Sequence, residues 1–397
     1  MARLADGVGN SILIILIPLY VAELPSPALD LPRTVLIGLL IALYGIVNSL
    51  VQPVMGALSD RTGRRKAFIQ GGLLTMGVAT LAFAGADRFT DLLVIRGFQA
   101  VGFAATVAAS VAVLTIVTER ETRGGAMGVF TTFRMTGFAI GPLLGGWIHV
   151  TWGFEAAFWT AAAFVFLGMA FVQAWVEDPE VERTKEAAAR FRTFDPSLLS
   201  SGIVGLGVAT FVMASDIAMM STLENEFNAR LDQTALGFGV AFSALTVSRL
   251  LFQVPLGSLS DRIGRKPVVM SGLALLAPTT AALAWAGSTG WLAGTRLLQG
   301  IASAAIAAPA FALAADLSRI GGEGRQLSVL TMGFGFGIAF GPLMAGILAV
   351  WSFHVPFVVG GVLALGAIEV VRRWVPETVG TGDREPAPGR ETGGRFD

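Results

Sequence analysis

The chain has 397 residues, of which 54% are hydrophobic and only 14% are charged, against roughly 25% charged residues in soluble domains. Basic and acidic residues both number 28, so there is no bulk positive charge for nucleic acid, and the lack of cysteine excludes disulfides and thiol catalysis. So little charge cannot cover so much apolar surface in water, and the composition therefore predicts an all-α integral membrane protein.

A membrane-spanning helix needs about 20 mostly apolar residues, and twelve segments of the chain meet that requirement. In chain order they are 3–22, 34–57, 67–86, 92–117, 125–150, 155–176, 198–223, 234–258, 268–286, 291–316, 326–350 and 355–374. A charged stretch at 177–197 is predicted to be a cytosolic linker, and the Gly/Pro-rich tail at 375–397 to be disordered. These boundaries give a six-helix bundle at 1–176 and a second at 198–374.

The placement of basic residues predicts the orientation of these helices. With the amino terminus in the cytosol, 21 of the 28 Lys and Arg fall in cytosolic connections and tails, and three fall in outer loops. Basic residues are retained on the cytosolic side of membrane proteins. The sequence therefore predicts a multi-pass protein of the cell (plasma) membrane with both termini in the cytosol.

Three motifs recur in register about 200 residues apart. GALSDRTGRRK (56–66) returns as GSLSDRIGRKP (257–267), RGFQAVGFAA (96–105) as RLLQGIASAA (296–305), and GFAIGPLLGG (137–146) as GIAFGPLMAG (337–346). Such echoes indicate one six-helix unit occurring twice. Because six is even, both copies have the same orientation, as in transporters built from parallel repeats.

These motifs resemble those of the major facilitator superfamily over essentially the whole chain. The pattern G-x-x-x-D-R-x-G-R-R is complete at Gly56, Asp60, Arg61, Gly63, Arg64 and Arg65, and it recurs at Gly257, Asp261, Arg262, Gly264 and Arg265. The resemblance implies the twelve-helix, two-bundle fold and a charge network at this gating turn that stabilises one access state. It also implies Glu119 as the partner of Arg64, with Asp316 at the corresponding end of the tenth segment. The alternative is that these basic residues only fix the topology.

Glycines recur every four residues in the fifth and eleventh segments. They are Gly137, Gly141 and Gly145, with Pro142, and Gly337 and Gly341, with Pro342. Each set lies on one helix face, where small residues allow a neighbouring helix to approach closely. The first copy also resembles the motif of the proton-coupled drug antiporters within the superfamily, which implies export by exchange. Packing alone is the alternative.

Acidic residues inside the segments are the candidate proton carriers, because ionisable groups are costly in a membrane and usually functional there. Asp216, on one helix of the pair predicted to flank the central cavity, is the first candidate, and Asp6 is the second. For Asp6 the alternative is an interfacial residue near Arg3.

Four arginines also fall inside the segments: Arg96, Arg134, Arg249 and Arg296. Arg96 and Arg296 begin matching R-x-x-Q patterns, and the resemblance implies a role for Arg96 in proton coupling; a structural Arg bonded to backbone carbonyls is the alternative. Arg134 and Arg249 belong to different halves, so they could face a shared cavity and bind an anionic group. Helix packing is the alternative for both, and for Arg249 it is preferred.

The functional prediction is a secondary transporter, specifically a proton-coupled antiporter exporting a small lipophilic or drug-like compound. A proton symporter for a small anionic metabolite is the alternative within transport, and a non-transporting membrane sensor is the alternative of another class. The sequence has no catalytic constellation and no nucleotide-binding motif, and its two histidines, His149 and His354, have no partner at ligand spacing. No enzyme activity, metal or cofactor is predicted. The predicted partners are the substrate, protons and the bilayer, with the chain as a monomer.

Overall fold

The computed structural model describes residues 1–24, 30–119, 122–178, 200–317 and 323–378, and for 123–124 and 323–328 it describes the backbone only. The helices are α1 (Ala2–Glu23), α2 (Arg33–Thr62), α3 (Arg65–Ala82), α4 (Phe89–Val117), α5 (Arg123–Trp175), α6 (Ser201–Ala218), α7 (Glu224–Leu231), α8 (Ala235–Ile263), α9 (Arg265–Ala282), α10 (Thr289–Asp316), α11 (Glu323–Leu348) and α12 (Val355–Trp374). Most of the predicted linker at 177–197 and of the tail at 375–397 lies outside the described residues, so the domain boundaries stay predictions.

The helices supply the twelve predicted spans, which confirms the fold class. Eleven helices in the described ranges are long and apolar enough to cross a membrane. The fifth and sixth spans are joined in α5, which breaks at Gly153, where φ is 84°. The seventh span consists of α6, a 3-10 turn at Met219–Leu223 and α7. Several helices outrun the predicted apolar segments, and α2 continues to Thr62 before Gly63, at φ 68°, ends it.

The helices form two halves, α1–α5 and α6–α12. In the first half α1 packs on α5, and in the second half α8 packs on α10 and α11 on α6. A buried cluster at the junction places Ile15 of α1 beside Phe238 and Phe357 of the second half. The two halves are thus separate bundles that share an apolar contact region, which we call the seam.

The seam is closed on one face of the molecule. We call the face where α1 begins and α12 ends the terminal face. Towards the opposite face, Thr34 donates a hydrogen bond to Gly346 O at 3.0 Å, and Asn225 donates one to Pro18 O at 2.9 Å. A Cβ on Gly38 would lie 2.6 Å from Pro342 O, so α2 and α11 touch through their backbones. The structure is therefore a state closed on the face opposite the termini.

The outer surface of the bundle is suited to lipid. Large apolar side chains such as Leu50, Val54 and Leu251 are exposed along the helices. All eight tryptophans of the chain are exposed as well: Trp147, Trp152, Trp159, Trp175, Trp285, Trp291, Trp351 and Trp374. Tryptophan concentrates at membrane–water interfaces, where its ring is half in apolar surroundings and half in water. The protein is a multi-pass membrane protein.

Candidate functional site

A chain of hydrogen bonds runs through the interior of the second half. Arg296 Nη1 donates to Gln299 Oε1 at 2.8 Å, and Gln299 Nε2 donates to Thr280 Oγ1 at 3.0 Å. Thr280 Oγ1 in turn donates to Asp216 Oδ2 at 3.2 Å. All four side chains are fully buried. Arg296 is thus connected to Asp216 through two neutral residues, without a direct ion pair, and α6, α9 and α10 are joined by polar contacts.

The carboxylate of Asp216 lies inside the second half. A Cβ on Gly360 of α12 would lie 2.8 Å from Asp216 Oδ1, and that oxygen accepts no hydrogen bond from any residue the structure describes. The sequence predicted Asp216 on a helix flanking the central cavity. The helix is as predicted, but the side chain points away from the seam, because it follows the face of α6 that packs against α9 and α12.

The first half contains the same chain without the acid. Arg96 Nη1 donates to Gln99 Oε1 at 2.9 Å, Gln99 Nε2 donates to Thr80 Oγ1 at 2.8 Å, and the Arg96 guanidinium lies 4.2 Å from the centre of the Tyr44 ring. Thr80 donates to Met76 O of its own helix.

The position equivalent to Asp216 can be located from the glycine ridges. Gly137 and Gly141 meet the carbonyls of Leu4 and Val8 on α1, and Gly337 and Gly341 meet those of Phe211 and Ser215 on α6. Aligning these contacts makes Gly9 the counterpart of Asp216. The repeat is therefore broken at the carboxylate, which belongs to the second half alone.

Asp6 is buried in the first half and paired with Arg3. Arg3 Nη1 lies 2.7 Å from Asp6 Oδ2, and the two residues are 8% and 1% exposed. Both line a cavity of about 180 Å³ that also touches Phe130, over whose ring the Arg3 guanidinium lies at 4.7 Å. The predicted neighbourhood of Asp6 and Arg3 is present, but it is a buried ion pair.

The other two intramembrane arginines, Arg134 and Arg249, lie near the seam on opposite halves. Arg134 of α5 lies 5.1 Å and 5.3 Å from the centres of the Phe103 and Phe138 rings, and Arg249 of α8 lies 5.7 Å from that of Phe334. The charge of Arg134 acts on Arg249 across the boundary between the halves. The structure thus brings together two guanidiniums, each against phenylalanine, from opposite halves.

The two basic turns share one ion pair, and the second turn has a further one. In the first, Arg65 Nη2 lies 3.0 Å from Asp60 Oδ1. In the second, Arg265 contacts both Asp261, at 3.2 Å, and Asp316. Arg265 begins α9 as Arg65 begins α3, and the predicted partners Arg64 and Glu119 form no ion pair in this state of the described chain. The reason is local: Glu119 lies beyond the end of α4 at Val117, whereas Asp316 is the last residue of α10 and stays on its helix.

Each basic turn is closed by a carboxylate from the end of its own half. Asp178 accepts a hydrogen bond from the backbone N–H of Lys66 at 2.5 Å. Glu377 accepts from the backbone N–H groups of Arg265 and Lys266 at 3.2 Å and 2.9 Å. These are the free N–H groups at the starts of α3 and α9, where a negative charge is stabilising.

The glycine ridges pack against the first helix of each half. A Cβ on Gly137 would lie 2.6 Å from Leu4 O, and one on Gly145 would lie 3.0 Å from the Ile12 side chain, both on α1. Gly337 and Gly341 meet the backbone of α6 in the same way, at Phe211 and Ser215. No larger residue fits these crossings without moving a helix.

Comparison with known proteins decides the family. A family model described as the Major Facilitator Superfamily matches residues 1–236 and again residues 197–393. The chain belongs to the major facilitator superfamily. The members of this superfamily and the solved structures most like the chain are transporters, not enzymes. The prediction that the chain is not an enzyme agrees with this family membership.

Several relatives of this facilitator have named cargoes. It is 38% identical over 121 residues to Citrate exporter 1 of Aspergillus niger, covering 30% of this chain and 23% of the exporter. It is 30% identical over 149 residues to a multidrug transporter of Candida glabrata, covering 38% and 25%. It is 26% identical over 340 residues to the human synaptic vesicular amine transporter, covering 83% and 64%. The chain thus spans less than two thirds of the length of each of these relatives.

Solved structures share the fold of this facilitator. A bacterial homologue of the human lysosomal transporter Spinster, in an inward-facing and occupied conformation, superposes with a TM-score of 0.76 at 14% identity, covering 94% of each chain. The human organic anion transporter MFSD10 superposes with a TM-score of 0.66 at 19% identity, covering 93% of this chain and 97% of that one. At these identities the likeness concerns the fold alone.

Sequence reasoning missed two pairs of residues at this site, although each pair occupies matching positions in the two halves of the sequence. Thr80 and Thr280 are 200 residues apart, which is the spacing of the repeat. Each precedes the glutamine to which it is hydrogen-bonded by 19 residues. Asp178 and Glu377 are the last residues of the matching stretches WVED and WVPE at the two bundle ends. Aligning the halves beyond the three obvious motifs would have found all four.

Proposed function

We propose that this facilitator is a proton-coupled antiporter that exports a small lipophilic compound by alternating access. The observation that carries the proposal is that the seventh span bears both a buried acid and a contact that closes the seam. Asp216 is near the end of α6, three residues before the 3-10 turn, and Asn225 of α7 follows that turn and donates to Pro18 O of the first half. Export is further supported by the relatives named as exporters or multidrug transporters.

The chemistry of Asp216 suits a proton carrier. A carboxyl group enters an apolar interior at far lower cost when it is neutral than when it is charged. Thr280 supplies one hydrogen bond to Asp216, and Arg296 is connected to it through Gln299. Rearrangement of α6 against α9 and α12 would change the solvation of the acid, and with it proton binding. Asp6, beside Arg3, is the second carrier in the proposal.

The two halves would move as rigid bodies around the seam. In the present state, backbone contacts close the face opposite the termini, at Gly38 against Pro342 and at Gly146 against Ala235. Opening that face would break these contacts and form new ones near the basic turns on the terminal face. The two basic turns would then stabilise the alternate state, in which Asp60 and Asp261 would face the opposite half.

In the cell, we propose the plasma membrane as the location, the cytosol for the terminal face and a monomer as the working unit. Inward movement of protons would then drive cargo outwards. The twofold run of basic residues at the turns on the terminal face supports this orientation.

The test is flux from proteoliposomes with an imposed pH gradient, measured for a panel of lipophilic compounds. Asp216→Asn should abolish the dependence of flux on the gradient, since the amide cannot exchange a proton. Asp87→Asn, at an exposed acid between α3 and α4, is the matched control and should keep it. Gradient-dependent flux in Asp216→Asn would rule out this carrier, and gradient-independent flux in the parent protein would rule out proton coupling.

A further inference from the structure

The two seam arginines lie at about the same depth, near the middle of the membrane. Helices α5 and α8 cross where a Cβ on Gly239 would lie 2.5 Å from Pro142 O. From this crossing towards the terminal face, Arg134 is eight residues along α5 and Arg249 ten residues along α8. At 1.5 Å per residue these separations are about 12 and 15 Å. Arg134 and Arg249 therefore lie at similar depths, on the terminal-face side of the closed part of the seam.

The pair carries charge that nothing nearby balances. Among the residues that the structure describes, neither guanidinium donates a hydrogen bond or lies within ion-pair distance of a carboxylate, and Arg249 Nε is buried without a partner. The charge of Arg134 acts on Asp6, but Asp6 already pairs with Arg3 at 2.7 Å. Counting that ion pair as neutral, Arg134 and Arg249 leave two positive charges beside the seam.

Such an arrangement is costly unless an anion enters it. Charged arginines within a membrane normally pair with an acid or with backbone carbonyls, as Arg296 does with Ile217 O at 3.1 Å. Each guanidinium presents five N–H donors in a planar fork that matches carboxylate, phosphate or sulfonate oxygens. The surroundings are otherwise apolar and aromatic, since Phe103, Phe138 and Phe334 lie against the two arginines.

We propose that the cargo is an amphipathic organic anion, with its acid group bound between Arg134 and Arg249 and its apolar body against the surrounding phenylalanines. This rests on the proposed transport function of the seam, and it adds the chemical class of the cargo. Because the arginines come from opposite halves, an acid group between them bridges the halves. It screens their mutual repulsion and allows them to approach.

The first experiment measures binding without transport. The purified protein in phosphatidylcholine nanodiscs is melted with and without 4-phenylbutyrate or octanoate, and with the matched uncharged 4-phenylbutanamide and cationic 4-phenylbutylamine. A ligand that binds the folded protein raises its melting temperature. The acids should raise it and the amide and amine should not. Equal stabilisation by the amide or the amine, or no stabilisation by either acid, would overturn the proposal.

Variants tie the effect to the two arginines. Arg134→Gln and Arg249→Gln should each weaken acid binding by about tenfold to a hundredfold, as expected for a lost hydrogen bond to a charged group. Arg134→Lys, which keeps the charge but not the fork, should lose less. Arg230→Gln, at an exposed arginine 4.1 Å over the Phe353 ring, is the control and should bind as the parent does. Unchanged binding in both seam variants refutes the assignment.

Two further experiments distinguish a bound cargo from a bound lipid headgroup, and test the anion site separately from proton coupling. If phosphatidylglycerol in the nanodisc stabilises the protein and both acids fail, the site binds an anionic lipid headgroup and the cargo proposal is wrong. Flux of bound 4-phenylbutyrate that ignores the pH gradient would defeat proton coupling and leave the anion site standing. Gradient-driven flux of the amide at the same rate as the acid would defeat the anion site and leave proton coupling standing.

Discussion

Replacing Thr280 by valine should both destabilise the second half and disturb proton coupling. The hydroxyl accepts from Gln299 at 3.0 Å and donates to Asp216 at 3.2 Å, and all three side chains are fully buried. Valine has nearly the same shape but can do neither, so one change removes two hydrogen bonds between helices. It leaves an amide donor and a carboxylate oxygen without partners.

The first half provides a matched control in Thr80→Val. Thr80 also accepts from its glutamine, at 2.8 Å, but it donates to Met76 O of its own helix. That carbonyl lies within the helix hydrogen-bond pattern, so Thr80→Val removes only one bond between helices. Hydrogen bonds between membrane helices average about 0.6 kcal/mol and reach about 1.7 kcal/mol. Thr280→Val should therefore cost about 1–3 kcal/mol, and Thr80→Val about half as much.

The assay is reversible unfolding of both variants in mixed micelles, followed by flux in proteoliposomes with and without a pH gradient. We expect Thr280→Val to be the less stable variant and to show a weakened response to the gradient, with Thr80→Val keeping the parental response. If the two variants are equally stable and respond equally to the gradient, the hydrogen bond between Thr280 and Asp216 has no role of its own, and the reasoning fails.

Three other predictions follow from the packing and the charges. Gly141→Ala should destabilise the first half by about 1–3 kcal/mol, because the new methyl group would collide with Ser11. Gly71→Ala, whose methyl group meets nothing within 4 Å, should melt no lower than the parent. Equal melting of the two variants would contradict the tight crossing. Arg265→Gln should lower the free energy of unfolding by less than about 1 kcal/mol, since the ion pair with Asp316 is partly exposed. It should nevertheless shift the distribution of distances between spin labels placed on the two halves. An unchanged distribution would rule out a gating role for Arg265. Single cysteines added at the two termini of this cysteine-free chain should both react with an impermeant reagent only from the cytosolic side, and labelling from opposite sides would overturn the twelve-span topology.

The fold could be predicted almost completely from the sequence, because lipid exposure forces an apolar composition on every span. The duplicated motifs then fixed the pairing of the halves, and the basic turns gave the ends of α2 and α8. The α5 break at Gly153 was anticipated only as a gap between two apolar segments. Its cause is a backbone conformation, φ 84°, that composition does not report.

The candidate site was less accessible to sequence reasoning. The composition identified Asp216 and the arginines as unusual for a membrane, but it could not tell which face of a helix each would occupy. Asp216 faces its own bundle, whereas Arg134 and Arg249 face the seam, and only the packing of neighbouring helices decides between these outcomes. The partnership of Arg265 with Asp316, without an equivalent at Glu119, likewise depends on where α4 and α10 end.

The carboxylates of Asp178 and Glu377 have a consequence for how the protein can be divided. Each accepts a hydrogen bond at the start of the third span of its own half, at α3 and α9, so both contacts lie within a single bundle. A gene divided just downstream of codon 178 would therefore yield two polypeptides, and each would keep its own contact between a terminal carboxylate and a basic turn. When they are co-produced in one cell, the two fragments should associate in the bilayer and restore the activity of the intact chain.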